Sequence, residues 1–166
     1  MNDDVVVREG TLADFDAGVR LVMAAVAENA LVPPDYPRLL EHVYAALTRD
    51  HGIAGVIGEP GGELEGAILL RVGQVWYSSE PVLEEKAIFV APNFRSAKGG
   101  RARKLAEWGK MASDRLGLPL AIGVLSNART EGKVKLYERM FGPPAGVYFL
   151  YGGKTGTVVQ PPEGSA

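Results

Sequence analysis

A chain of 166 residues with 46% apolar and 23% charged residues is long enough for one domain with a sizeable core, and its composition excludes the disordered and fibrous classes. The net charge of −2 argues against a generally basic nucleic-acid binder, and the lack of cysteine excludes disulfides, thiolate metal sites and a cysteine nucleophile. No apolar run approaches the ~20 residues of a membrane helix, and the acidic start Met1-Asn2-Asp3-Asp4 lacks a secretory pattern, so a soluble cytoplasmic protein is expected.

Val5-Val6-Val7-Arg8 reads as a first strand. Thr11 with Asp14 three residues on resembles a capping box, and Leu12, Phe15, Val19, Val22 and Val26 continue an amphipathic helix to about Asn29. Pro33-Pro34 breaks it, and Leu40, Val43, Tyr44 and Leu47 mark a second helix over 36–49. Ile53–Ile57 and Leu64–Val72 read as a hairpin around Pro60-Gly61-Gly62. Lys86–Val90 is a further apolar strand stopped by Pro92. A Gly-rich basic turn, Arg95–Arg101, leads into a helix that ends at Leu116-Gly117. Leu120–Leu125, Thr130–Phe141 and Val147–Tyr151 follow as strand, helix and strand. The order β-α-α-β-β-β-α-β-α-β predicts a mixed α/β (or α+β) single domain over 1–152. Residues 153–166 form a Gly/Pro-rich tail in which Thr157-Val158-Val159 could pair at an edge.

Several familiar patterns fail on inspection. Gly153-Lys154-Thr155 imitates the end of a phosphate-binding loop, but Tyr148 stands where the first glycine is needed and Pro161-Pro162 follows instead of a helix. No G-x-G dinucleotide fingerprint, G-x-S-x-G or H-E-x-x-H occurs. The two histidines, His42 on a helix and His51 in a loop, make no metal site, and no metal is expected.

The informative stretch runs from Val90 to Leu105. A strand ends at a proline, a turn with adjacent Gly99 and Gly100 follows, and a helix opens there. Amide N–H groups and the positive dipole end at such a start suit an anion, and glycine lets backbone approach it closely. Lys98, Arg101, Arg103 and Lys104 crowd this start although basic residues are disfavoured there. A bound polyanion would explain the placement; a solvated basic face is the alternative.

The strand, proline, Arg95, Gly-rich turn and helix resemble the acyl-CoA pyrophosphate loop of the GNAT N-acetyltransferase superfamily, with Arg95 and Gly100 at the first and last motif positions and Lys98 where a glycine is usual. Leu136-Tyr137 resembles that family's C-terminal L-Y core, with Thr130 and Lys133 upstream at its asparagine and alanine places. The resemblance covers nearly the whole chain. It implies a mostly antiparallel, twisted sheet of six to seven strands flanked by about four helices. It also implies direct transfer of an acetyl group from acetyl-CoA to a primary amine, on a small molecule or a peptide.

Under that resemblance Arg95, Lys98, Gly99, Gly100 and Arg101 would hold the pyrophosphate, and Asn127 would assist. The backbone of Phe89 and Val90 would pair with the pantetheine arm as an added strand. Tyr137 would be the general acid toward the leaving thiolate. Glu85, with Glu84 beside it and Glu80 in reserve, would be the general base, because partial burial raises a carboxylate toward neutral pH. Trp76 and Tyr77 would line the acceptor pocket. No membrane or nucleic-acid partner is expected, and a homodimer is compatible with the sequence. The competing readings are an idle GNAT-like module that binds CoA or a protein, and an unrelated fold whose basic helix start binds nucleic acid.

Overall fold

The structure is a computed structural model and describes residues 4–95, 99–125 and 130–153. Its chain order is β1 (Arg8–Glu9), α1 (Phe15–Asn29), α2 (Tyr36–Leu47), β2 (Gly52–Ile57), β3 (Gly66–Gly73), β4 (Val82–Val90), α3 (Arg101–Leu116), β5 (Leu120–Ala121) and α4 (Thr130–Phe141). The strands form one sheet in sequence order. The first four are antiparallel neighbours, and β5 runs parallel to β4.

Helices cover both faces of the sheet, and β3 shows why. Ala67 and Leu69 enter a core with Leu21, Val22, Val43 and Leu47 from α1 and α2. Ile68 and Leu70 enter a second core with Leu105 and Trp108 from α3. A strand buried on both sides has no polar face, so it reads as an unbroken apolar run. Gly55 on β2 admits the Trp108 ring, because a Cβ there would lie 2.6 Å from ring carbons. The two short ends of the sheet are anchored differently. β1 is held by Arg8, whose guanidinium pairs with fully buried Asp14 at 2.8 and 2.9 Å and donates to the Gly58 carbonyl at 2.7 Å. The Arg8 guanidinium beside it holds the Asp14 carboxyl below its ordinary range despite burial. β5 touches β4 only at Leu83 and Glu84.

Most elements fall where the sequence places them, and α4 has the expected bounds. Several expectations change, among them the start of β4, at Val82 rather than Lys86. The sheet has five strands among the described residues, not six to seven. Strand β5 stops at Ala121 rather than Leu125, and Val147–Tyr151 is not paired as a strand. The first strand is Arg8–Glu9 rather than a run from Val5. Pairing requires a neighbour as well as β-branched side chains, and only Arg8 and Glu9 reach partners on β2, at Val56 and Gly55. The edge pairing expected of Thr157–Val159 lies outside the described residues. Among the described residues no helix is long and apolar enough to cross a membrane.

Candidate active site

Strand β4 organises the site. Its residues 82–90 pair with β3 throughout, but on the other side β5 reaches only Leu83 and Glu84. From residue 85 onward the β4 edge has no second strand among the described residues. A cleft of about 380 Å³ opens there, between β4, the start of α3 and α4, lined by Ile88, Val90, Gly100, Arg103, Lys133 and Tyr137 among others.

The register of β4 decides which acid lies on the α3 side of the sheet. Leu69 pairs with Ala87 and Leu70 with Glu85, so Lys86 is an extra residue, a β-bulge. Leu69 belongs to the α1/α2 core and Leu70 to the α3 core. Directly paired residues share a face, so Ala87 points to the α1/α2 side and Glu85 to the α3 side. Strict alternation from Ala87 would have put Lys86 on the α3 side and Glu85 opposite. The bulge reverses this. Glu84 then faces α2 together with Arg71, its cross-strand partner, and takes Lys86 Nζ at 2.6 Å.

Glu85 is drawn from water, and burial pushes its carboxyl up to about 7. The Gly123 N–H, 3.5 Å away, and the charges of Lys86 and Lys133 oppose that rise. Tyr137 enters from α4. Burial raises its phenol above the ordinary tyrosine range, and the nearby charge of Glu85 adds to the shift. The charge of Glu85 thus acts on a phenol carried by a different element, 52 positions further along the chain. The Tyr137 ring is steadied edge-on by Phe141 at 5.9 Å, one helical turn away.

The α3 start has the expected backbone. Gly99 and Gly100 take φ of 122° and 59°, and Gly100 is the left-handed residue that opens the helix. No acid occupies the first turn. The amides of Ala102 and Arg103 have no partner carbonyl within the helix, by helix geometry, and both residues line the cleft.

The cations around this start have protein partners. Arg95 donates Nε–H to the Val90 carbonyl at 2.9 Å, grips Glu28 of α1 with both terminal nitrogens at 3.0 and 2.6 Å, and stacks on Phe89. Arg101 donates to Glu65 at 2.7 Å and covers Phe94. Lys104 reaches the Val5 carbonyl at 2.7 Å. Arg103 is more than half exposed and lies 3.7 Å from Glu107. These pairs supply a structural reason for part of the basic cluster: it ties β4, α1 and the β2–β3 connection to the helix start.

Of the candidates read from sequence, the structure brings Tyr137, Val90, Phe89, Arg95, Gly100 and Arg101 to one cleft; Glu85 is not in its lining but lies near enough for its charge to act on Tyr137. Gly99 adjoins the cleft lining in sequence, with Val5 against its α-carbon. Glu84 turns to the opposite face, for the register reason above. Trp76 and Tyr77 stack edge-on in the exposed β3–β4 loop and do not line the cleft. Glu80 lies in that loop, where its backbone N–H donates to the Ser78 hydroxyl oxygen at 3.1 Å. Lys98 and Asn127 lie outside the described residues. His51 is exposed, while His42 accepts from Arg71 at 3.2 Å and is held below its ordinary pKa by burial and by the Arg71 charge. Among the described residues there is no metal-holding cluster. Sequence reading missed Glu28 and weighed Lys133 only as a motif position; a pair such as Arg95–Glu28 spans 67 positions and leaves no local pattern.

This architecture, a four-strand antiparallel sheet with a short parallel fifth strand and a helix opened by a glycine, is a GNAT-like fold. Solved structures with it align along most of the chain. One is AAC(6')-Iy in complex with the bisubstrate analog CoA-S-monomethyl-acetylneamine, with a TM-score of 0.64 and 20% identity, covering 89% of this chain and 96% of the other. An integron cassette protein from the mobile metagenome of Cole Harbour Salt Marsh aligns at 0.64 and 23%, covering 94% and 91%. A ribosomal-protein-alanine N-acetyltransferase from Brucella melitensis biovar Abortus 2308 aligns at 0.63 and 16%, covering 89% and 96%. No protein-family model matches the chain, and no curated protein matches it by sequence.

Proposed function

We propose that the protein is an acyl-CoA-dependent N-acyltransferase that moves an acetyl group from acetyl-CoA to a primary amine. The observation that carries this reading is the cleft between the β4 edge that β5 does not reach, the glycine-opened start of α3 and α4, with Tyr137 in its lining and Glu85, on the α3 side of β4, near enough for its charge to raise the Tyr137 phenol. The similarity in fold to an acetyltransferase complexed with a CoA bisubstrate analog supports it.

The residues take distinct roles. Amides at the α3 start and Arg103 receive the pyrophosphate, since they combine dipole, unpaired N–H groups and an exposed cation. The edge of β4 that β5 does not reach, near Phe89 and Val90, takes the pantetheine amides as a strand would, with the Val90 carbonyl shared with Arg95 Nε–H. The acceptor nitrogen attacks the thioester carbonyl carbon, forming a C–N bond as the C–S bond breaks. Glu85 takes the proton that the nitrogen loses. Tyr137 gives its proton to the departing sulfur; a phenol held neutral by burial remains a donor throughout the working pH range. A carboxylate near pH 7 suits base catalysis and favours an enzyme over an idle module. The acceptor is an amine on a small molecule or a peptide, and the site of action is the cytoplasm.

Two measurements test this. Acetyl-CoA at ~100 times its dissociation constant should add about 2.7 kcal/mol to stability, raising the melting temperature by several degrees and by more than ATP does. Tyr137→Phe should lower turnover of an accepted amine while leaving acetyl-CoA affinity by calorimetry unchanged; equal turnover removes Tyr137 from the mechanism.

A further inference from the structure

Glu28 stands one residue before the end of α1, in the lining of the cleft. Both of its carboxylate oxygens accept from the Arg95 fork, at 3.0 and 2.6 Å. Arg95 Nε–H reaches the Val90 carbonyl at 2.9 Å, and the guanidinium lies 4.8 Å from the Phe89 ring centroid. The two side chains are only 22 and 25% exposed. A two-pronged contact held largely out of water orients its partners as well as attracting them.

The carbonyl that Arg95 grips belongs to the open edge of β4. Ala91 N–H donates to the Glu65 carbonyl at 2.8 Å, toward β3. Successive residues of an antiparallel strand turn their N–H and C=O groups to opposite neighbours, so Val90 turns its own away from β3. Strand β5 stops short of that position. A carbonyl has two lone pairs. Arg95 takes one, and its line of approach sets the direction in which the other is offered. The clasp also limits what else Arg95 can do. Its terminal nitrogens face a carboxylate and the pair is neutral overall, so it adds little attraction for a phosphate, in contrast to the exposed Arg103.

We propose that Glu28 is a positioning residue for the pantetheine arm: by clamping Arg95 it fixes the Val90 carbonyl in the direction from which a pantetheine amide is received. This rests on the acyltransferase reading and deepens it. It gives the last turn of α1 a part in cofactor binding, alongside the start of α3.

The test uses the full chain and two ligands, acetyl-CoA and 3′-phosphoadenosine 5′-diphosphate, which carries every phosphate of CoA and no pantetheine. Glu28→Gln keeps the shape of the side chain and breaks the two-pronged contact. By calorimetry it should weaken acetyl-CoA about tenfold and leave the diphosphate unchanged. Arg95→Lys keeps the charge without the fork and should show the same pattern. In an Arg95→Met background Glu28→Gln should add nothing, because Glu28 acts only through Arg95. Both single variants should melt cooperatively without ligand. With an accepted amine, the KM for acetyl-CoA should rise by the same factor while kcat and the amine KM hold. Equal losses on both ligands assign the clasp to the phosphates and overturn the proposal. Unchanged acetyl-CoA affinity, additive losses in the double variant, or a rise confined to the amine KM overturn it too. A wild-type chain that binds neither ligand removes the acyltransferase reading itself, and this inference with it.

Discussion

Two regions of this molecule are built on different terms. From Gly10 to Ala112 the chain supplies the three long strands of the sheet and the helices on both its faces, and every buried residue among the described ones lies in that span. From Ser113 to Gly153 none of the described residues is fully buried, although α4 is a well-formed helix of twelve residues. The second region carries Tyr137 to the cleft and leaves a row of aromatics in water. Stability and chemistry are thereby divided: changes in the scaffold should appear as unfolding, and changes in the arm as lost turnover.

The strongest way to probe the division is to break the anchor of the scaffold. Asp14→Ala strands the Arg8 guanidinium in a mostly dry setting and should cost about 3–5 kcal/mol in urea unfolding. Next comes a matched pair of leucine truncations. Leu105→Ala in the α3 core should cost ~2–5 kcal/mol, whereas Leu125→Ala, at a site 63% exposed, should stay within ~0.5 kcal/mol. Comparable costs would erase the contrast between the regions.

Glu85→Gln sharpens the boundary, because Glu85 sits on the scaffold and faces the arm. Its carboxyl titrates near 7 in the folded protein and near the ordinary 4.5 when unfolded. Between those values the folded protein holds a proton that the unfolded chain has released, so the wild type loses stability as pH rises through that window. Glu85→Gln should match the wild type at pH 4 and exceed it in stability at pH 8. Wild-type acyl transfer should rise with pH through an inflection near 7, and the variant should lose about 100-fold at pH 8 together with the inflection. An unchanged pH profile would exclude Glu85 as base.

Much of the scaffold was legible because its signals are local. The β3 run, the left-handed Gly117 that stops α3 and the helical spacing from Thr130 to Phe141 each sit inside one element. The start of β4 was not. The charged triplet Glu84-Glu85-Lys86 interrupts the apolar pattern, so the strand appears to begin at Lys86, while pairing with Gly73, Val72 and Arg71 carries it back to Val82. The site was half legible. Glu85, Tyr137 and the glycine turn are motif positions, but the exclusion of Glu84 follows from one bulge, and the Arg95–Glu28 clasp joins elements far apart in the chain.

By itself, the sequence determined a mixed α/β chain without cysteine chemistry, the order of its helices and strands, and a basic glycine turn at a helix start, since composition, periodicity and backbone freedom act over a few residues. Only the tertiary structure decided which glutamate lies near Tyr137, where β4 loses its second neighbour to open a cleft, and that Val147–Tyr151 stays unpaired within the described chain. Those outcomes depend on register and on partners dozens of residues away, and a one-residue shift in register reverses the face of every side chain that follows.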